Sequence, residues 1–370
     1  MILFAIFCLV IFIQVYFYLR IFKNLKKCNS PGDPTFSLPV SIVVCAKNEE
    51  NNLKVLLPAL IAQKYPSFEL VLVNDHSQDD SLKFMLGFQS EQEKKGNPIE
   101  IKIINLSEPE SSGKKNALTK GILNASHENI LLTDADCIPA SDYWLKGMTA
   151  KLTGEKTISL GYGAYKKISG SFLNKLIRYE TMLTALQYFS YAKMGIPYMG
   201  VGRNLAYKKS VFIGANGFIN HAEIASGDDD LYISQVANEN NTAQCVEQGA
   251  FTYSQPKTSL SSWIRQKRRH ITTAGHYKSF HQCALGLYFI SQLLFWLLLP
   301  ILLINENFVL FVLYLVVIRF IIWFDKIIGA AKTLEEQDLI LIAPLLEICL
   351  ICIQLIIFVA NIFSPPKKWQ

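Results

Sequence analysis

The sequence predicts an α/β domain with a mostly parallel sheet, held between membrane-spanning helices. Three observations lead there. The 370-residue chain opens and closes on long apolar segments, and 51% of its residues are hydrophobic. Between those segments, β-branched runs alternate with helical spacing, and each run ends in polar residues. Short acidic motifs fall at or beyond those ends: Val73-Asn74-Asp75-His76-Ser77, Thr133-Asp134-Ala135-Asp136 and Gly227-Asp228-Asp229-Asp230, with Gln266-Lys267-Arg268-Arg269-His270 closing the series.

Residues 1–19 are uncharged and almost wholly apolar, nearly enough at about 1.5 Å per residue to cross a hydrocarbon core of about 30 Å. Residues 1–22 are therefore expected to form an anchor. A cleaved signal peptide would need a basic start, a shorter apolar run and a small-residue cleavage site. Arg20, Lys23, Lys26 and Lys27 follow at once, and the positive-inside rule puts them, and all the motifs, in the cytosol.

Leu38 to Ala46 is a continuous β-branched run, followed by the turn Lys47-Asn48-Glu49-Glu50 and a helical pattern through Leu53, Leu56, Leu57 and Leu60. The pattern recurs from Phe68 to Val73, with Asp79-Asp80-Ser81 placed to cap the next helix. Glu91 to Asn97 is charged without periodicity and reads as a surface loop. Ile99 to Leu106 and Ile130 to Thr133 read as the third and fourth strands. In an α/β sheet of this kind, ligands bind at the C-terminal ends of the strands, where the motifs lie. From Phe172 to Met194, helical spacing mixes aromatics with Lys175, Arg178 and Lys193, which fits either a helix on the membrane surface or a buried one. The α/β domain is expected over 38–280.

A second membrane region is expected over 283–363, with spans at Cys283–Ile304, Phe308–Phe324 and Leu339–Phe363. Asn305-Glu306-Asn307 reads as an outer turn, and Lys326, Lys332 and the acids beyond as an inner loop. Four spans are expected in all, which leaves Lys367 and Lys368 outside. Arg319 and Glu347 are costly in lipid and are expected to pair between helices, to snorkel, or to line a polar site.

Eight cysteines are scattered without metal-ligand spacing, which argues against a zinc or disulfide framework. The net charge of +6 is modest and partly explained by the flanks of the first span, so it gives no ground for nucleic acid binding.

Asp134 and Asp136, one residue apart after an apolar strand, can bring two carboxylates near one divalent cation carrying a diphosphate, and hard oxygen ligands suit Mg2+ or Mn2+. Two acids in such a loop are also commonly solvated or cap a helix. Gly113-Lys114-Lys115-Asn116 sets a turn and two cations before a helix, where Lys114 can meet the diphosphate or both lysines can simply be solvated. The crowded Asp228, Asp229 and Asp230 must raise at least one carboxyl pKa, which makes Asp229 a candidate general base. The spacing is not that of an EF-hand. Gln266, Arg269 and His270 suit an acceptor or phosphate contact, although a basic stretch beside a span can be a topology signal alone.

Taken together, these motifs resemble the membrane-bound family 2 glycosyltransferases, inverting enzymes of the GT-A fold that include the cellulose, chitin and hyaluronan synthases; the resemblance covers residues 38–275. It implies a GT-A (Rossmann-like) cytosolic domain, with nucleoside contacts from Ala46, Glu49 and Asp75. Lys114 would meet the diphosphate, Asp134 would lie near the sugar or ribose, and Asp136 would be the direct metal ligand. Asp229 would deprotonate the acceptor hydroxyl, with Asp228, Arg203, Asn204, Gln266, Arg269 and His270 bordering acceptor or phosphate. Two departures stand out. His270 replaces the tryptophan of the family's Gln-x-x-Arg-Trp, which argues against processive polymerisation, and Asn74 replaces a first aspartate.

The expected activity is transfer of one sugar from a nucleotide-sugar donor, UDP-linked, to a lipid-linked or membrane-adjacent glycan acceptor, at the cell membrane, by a multi-pass protein with its catalytic domain in the cytoplasm. The alternatives are a processive polysaccharide synthase and a noncatalytic membrane scaffold.

Overall fold

The computed structural model describes residues 1–23, 25, 38–106, 113–224, 226–304 and 308–364. Lys26, Lys27, the Asn305-Glu306-Asn307 turn, Lys367 and Lys368 lie outside them. The chain divides into two compact units, Met1–Lys26 with Lys167–Met194 and Lys257–Pro366, and Lys27–Lys166 with Gly195–Pro256 and Lys367–Gln370.

In chain order, α1 (Ile2–Tyr16) is followed by β1 (Val40–Ala46), α2 (Glu50–Ile61), β2 (Phe68–Asp75), α3 (Ser81–Lys94), β3 (Glu100–Leu106), α4 (Lys114–Asn124) and β4 (Asn129–Leu132). Next come β5 (Cys137–Pro139), α5 (Trp144–Thr149), β6 (Ile158–Leu160), β7 (Gly163–Tyr165), α6 (Phe172–Lys193), β8 (Leu205–Lys208) and α7 (Lys209–Gly214). The chain continues through α8 (Asp230–Val236), β9 (Thr242–Gln244), β10 (Thr252–Ser254), α9 (Leu260–Ile271), α10 (Ser279–Leu303), α11 (Val309–Thr333) and α12 (Ala343–Phe363).

The second unit holds a seven-stranded sheet in the order β3-β2-β1-β4-β8-β6-β9 and a three-stranded sheet β5-β10-β7. Strands β1 and β2 pair in parallel from Val40 with Phe68 to Ala46 with Asn74, and β4 pairs in parallel on the other side of β1. Every residue of β2 is buried, as expected of a parallel strand covered on both faces. The core joins Ile42, Val44, Leu70 and Leu72 of the sheet to Leu53, Leu56, Leu57 and Leu60 of α2 and to Trp144 and Leu145 of α5.

The large sheet is mostly parallel, as expected, and becomes mixed where β8 inserts antiparallel to both β4 and β6. The structure does revise Glu91 to Asn97, expected as a loop. Residues 91–94 form the last turn of α3, where the Glu91–Lys95 ion pair at 2.5 Å spans one turn. Met85 and Phe88 are the buried residues nearest the end of α3, and the turn beyond them is polar, so no apolar period marked it as helix.

Among the described residues of the helical unit, three helices are long and apolar enough to cross a membrane, Ile2–Ile21, Ser279–Leu303 and Gln337–Phe363. Helix α11 has the same 25-residue length as α10 but carries Arg319, Asp325 and Lys326 and is not among the three. Phe7, Val10 and Ile11 of α1 pack with Phe295, Leu298 and Leu302 of α10 and Val312 of α11. Arg319 and Glu347 do pair between helices, at 2.6 Å, both fully buried. Arg319 also donates to Gln14 Oε1 at 2.9 Å and Tyr18 Oη at 3.3 Å, while Glu347 accepts from Gln292 at 3.0 Å and Trp296 at 3.3 Å. Helix α6 is the buried alternative: Leu176, Ile177, Met182, Ala185 and Phe189 are shielded within the unit, and Arg178 is clasped by Glu336 and Asp338.

Candidate functional site

The loops after β1, β2 and β4 emerge at one edge of the parallel half of the sheet, and their register puts Ala46 beside Asn74. Beyond Ala46, Asn48 takes a left-handed turn with φ 59°, and its amide oxygen accepts from Gln78 N–H at 2.7 Å, stitching the first loop to the second. Glu49 precedes α2, with its N–H donating to Ser81 Oγ at 2.9 Å and a carboxylate oxygen accepting from Asn52 at 2.5 Å. Burial raises the Glu49 pKa, helped by the charges of Asp136 and Asp134.

Asp75 ends β2 almost fully buried, accepting from the Gly113 N–H at 3.3 Å and lying 2.8 Å from His76 Nδ1. Gly113 has φ 130°, a backbone state open to glycine, and it delivers the chain into α4 with Lys114 as the first helical residue. The Lys114 ammonium lies 2.9 Å from Asp134 and 3.0 Å from Asp228, so Lys114 is not a solvated lysine. Burial opposes its charge, but Asp134, Asp228 and Asp229 hold its pKa well above the ordinary value.

After β4, Thr133 Oγ1 donates to the Arg203 carbonyl at 3.1 Å, and Asp134 and Asp136 follow. Oxygens of both carboxylates and the Cys137 sulfur lie within 4.8 Å of one another. Burial, then the Asp134 charge, raises the Asp136 pKa, and burial drives the Cys137 thiol up as well. A protonated thiol is a poor ligand, whereas two crowded carboxylates favour a cation between them, so the oxygens fit Mg2+ or Mn2+ and the sulfur does not.

Asp229 caps α8. One carboxylate oxygen accepts from Asp230 N–H at 2.8 Å and the other from Gly202 N–H at 2.8 Å, which fixes the group's plane. Burial, with the charges of Asp228 and Asp230, raises its pKa to about 7. The turn into it needs Gly227, whose φ is 95° and where an added Cβ would stand 2.5 Å from Leu231 Cδ1.

Arg203 is half-buried with its guanidinium 4.4 Å from the Tyr165 ring centre, and Nη1 donates to Ser254 Oγ at 3.2 Å. Asn204 is a correction. It is fully buried, its oxygen accepts from Trp144 Nε1 at 2.9 Å and its amide donates to the carbonyls of Tyr162 at 3.0 Å and Ala250 at 2.8 Å. With both amide hydrogens and its oxygen engaged, Asn204 ties α5 to the segments at Tyr162 and Ala250 and offers no exposed atom to an acceptor.

Gln266, Arg269 and His270 belong to α9 in the helical unit, one turn apart on the helix so that Gln266 can share a face with both. Their neighbours fasten the helix: Lys267 pairs with Glu180 of α6 at 2.6 Å, and Arg268 and Asn361 of α12 exchange hydrogen bonds at 2.8 and 3.0 Å.

Sequence reasoning missed Cys137, Tyr165, Ser254 and Lys115. Cys137 directly follows the acidic pair, so its place was visible, but the Tyr165 and Ser254 contacts come from strands dozens of residues away in sequence, with no local signal.

Residues 41–217 match the family model "Glycosyl transferase family 2". A poly-beta-1,6-N-acetyl-D-glucosamine synthase of Staphylococcus epidermidis is 27% identical over 103 residues, 28% of this chain and 23% of the synthase. A dolichyl-phosphate beta-glucosyltransferase of Drosophila melanogaster is 35% identical over 108 residues, 27% of this chain and 31% of that protein. The chain thus matches less than a third of the length of either. A mannosyltransferase from Pyrobaculum calidifontis, solved with GDP-Man and Mn2+, shares the fold at a TM-score of 0.59 and 15% identity, over 94% of this chain and 96% of that one. By this match and these relatives, residues 41–217 are similar to the family 2 glycosyltransferases, and the α/β unit has a GT-A-like fold.

Proposed function

We propose that the chain transfers a single sugar, with inversion, from a UDP-linked donor to a lipid-linked or membrane-adjacent glycan acceptor. The observation that carries this reading is the meeting of Lys114, Asp134 and Asp228 within 3.0 Å, beside an Asp229 whose pKa is raised to about 7. Ala46, Glu49 and Asp75 border the nucleoside, and Lys114 meets the diphosphate. Mg2+ or Mn2+ fits the oxygens of Asp136 and Asp134 and would supply Lewis-acid stabilisation of the leaving diphosphate.

Asp229 takes the proton of the acceptor hydroxyl as its oxygen attacks the anomeric carbon. A base with pKa near the working pH combines a usable ionised fraction with real proton affinity. Both its oxygens already accept a backbone N–H, so the carboxylate is aimed before the substrate arrives. Inversion needs no covalent enzyme intermediate, and the reading assigns no side chain as nucleophile. Arg203 supplies positive charge beside Asp136, and Gln266, Arg269 and His270 border the acceptor or a phosphate.

Three helices of spanning length support a membrane protein. In this reading it is a multi-pass protein of the cell membrane with α11 as the fourth span, and the basic residues after α1 keep the catalytic unit in the cytoplasm. The likeness to a poly-N-acetylglucosamine synthase favours a second reading, processive synthesis. His270 in place of a tryptophan platform speaks against it. The test is to incubate membranes bearing the protein with labelled nucleotide sugars and Mn2+ or Mg2+, alongside Asp229→Asn and Asp136→Ala, and to size the products. Short, lipid-extractable product lost in both variants supports the reading; long polymer replaces it with the processive one. No turnover by folded protein over a broad donor and acceptor panel removes it.

A further inference from the structure

We propose that Lys115 is a positioning residue that holds the segment carrying the base in register with the donor site. The proposal rests on the reading of Asp229 as base, but its geometry is independent of that reading. Consecutive residues of a helix diverge by about 100°, so two lysines opening α4 must reach different surfaces. Lys114 goes to the carboxylates. Lys115 goes the other way, and its ammonium donates to the main-chain carbonyl of His221 and, at 2.8 Å, to that of Ile224.

Those carbonyls belong to the stretch leading into Gly227-Asp228-Asp229-Asp230. Among its described residues that stretch holds a short helical turn, Ile219–His221, before α8 begins at Asp230. The turn is closed by local backbone bonds of 3.1–3.3 Å, from His221 N–H to Phe218, Ile224 N–H to His221 and Ala222 N–H to Ile219. The first turn of α4 therefore grips the stretch twice, at residues 221 and 224 through Lys115 and at Asp228 through Lys114. An ammonium carries three N–H donors, enough for two carbonyls at once. Methionine matches the length of lysine and offers none, while arginine keeps the charge and can still bridge two carbonyls.

The coupling has a functional meaning. The turn that presents Lys114 to the diphosphate also sets where Asp229 stands, so donor and base share one reference point. A displacement of about 1 Å can cost about a hundredfold in rate.

The experiment uses the full-length protein in membranes or detergent, comparing wild type with Lys115→Met, Lys115→Arg and Asp229→Asn. Turnover is resolved into kcat and donor KM, and amide hydrogen exchange is followed across residues 218–230 and, as a control, 129–139. Expected for Lys115→Met are a kcat lower by about a hundredfold, an unchanged donor KM and faster exchange over 218–230 alone, with most of the rate returning in Lys115→Arg. Unchanged exchange over 218–230 would overturn the proposal. So would a loss confined to donor KM, which would make Lys115 a donor contact. Wild-type turnover by Asp229→Asn would remove the base reading instead, and the exchange data would then decide the tether by themselves.

Discussion

Each unit keeps a group of acids away from bulk water, and the two groups are neutralised to different degrees. In the helical unit Glu347 has one arginine against it, with Gln292 and Trp296 on its remaining lone pairs, while Arg319 is shared with Gln14 and Tyr18 and lies 4.6 Å from the Phe295 ring. One charge answers one charge. In the α/β unit Asp134, Asp136, Asp228 and Asp229 crowd around Lys114, whose ammonium pairs with Asp134 and Asp228, with Arg203 turned onto Tyr165. A closed pair of charges is a fastening; an excess of one sign, held by a rigid sheet, is a demand for a cation and a store of proton affinity. Both are costly placements, and only the second has an obvious return in chemistry.

The comparison can be broken most forcefully at Asp229. Replacing it with asparagine should lower kcat by about a thousandfold, within the usual span for a lost general base, with the far-ultraviolet circular dichroism unchanged. A modest loss would mean that Asp229 is as structural as Glu347. Next in size, Arg319→Met alone should destabilise the protein by about 3–5 kcal/mol, because it strands a buried carboxylate, while Arg319→Met with Glu347→Leu should recover most of that. Thermal melts in detergent would show it, and a double variant no better than the single would contradict a closed pair.

Asn204→Ala should cost about 2–3 kcal/mol by orphaning Trp144 Nε1 and two carbonyls, with the Tm falling while KM for both substrates holds. A selective rise in acceptor KM would restore its place in the acceptor site. The pH dependence is gentler. The proposed role of Asp229 as base requires its ionised form, so kcat/KM should rise with pH and level off above about 7, the raised pKa. The smallest effect is on stability. The folded-state pKa lies above the unfolded value of about 3.9, so the folded protein holds more protons, and the ionised group costs stability progressively as pH rises from about 4 to 7. Asp229→Asn should therefore raise the Tm at neutral pH by a gain on the order of 1 kcal/mol. A fall would show the carboxylate to be a net stabilising cap.

The parallel half of the sheet was legible because each strand is a continuous apolar run ended by polar residues, and the site was legible where its residues are adjacent in sequence, as at Asp134 with Asp136. What escaped has no local period. Strand β8 is four residues long, and nothing in Leu205-Ala206-Tyr207-Lys208 states that it runs antiparallel to β4. Asn204 beside Arg203 is placed at the acceptor by family resemblance alone, which carries no information on its own partners. The carbonyls of Tyr162 and Ala250 that consume its amide are 42 and 46 residues away. Lys115 likewise carries no local signal of its role, since its partners are 106 and 109 residues distant.

The α/β unit is interrupted: residues 167–194 of the helical unit separate its first part from β8, the strand that sits between β4 and β6. During synthesis the ribosome therefore releases β1 to β7 first, then a helix that belongs elsewhere, and only afterwards the strand that completes the sheet. The half-built sheet must wait with the side of β4 unpaired, and such an edge invites pairing with other chains. A second consequence concerns protein production. No single cut in this chain yields the α/β unit by itself, so producing it alone would require excising an internal helix and rejoining Lys166 to Gly195.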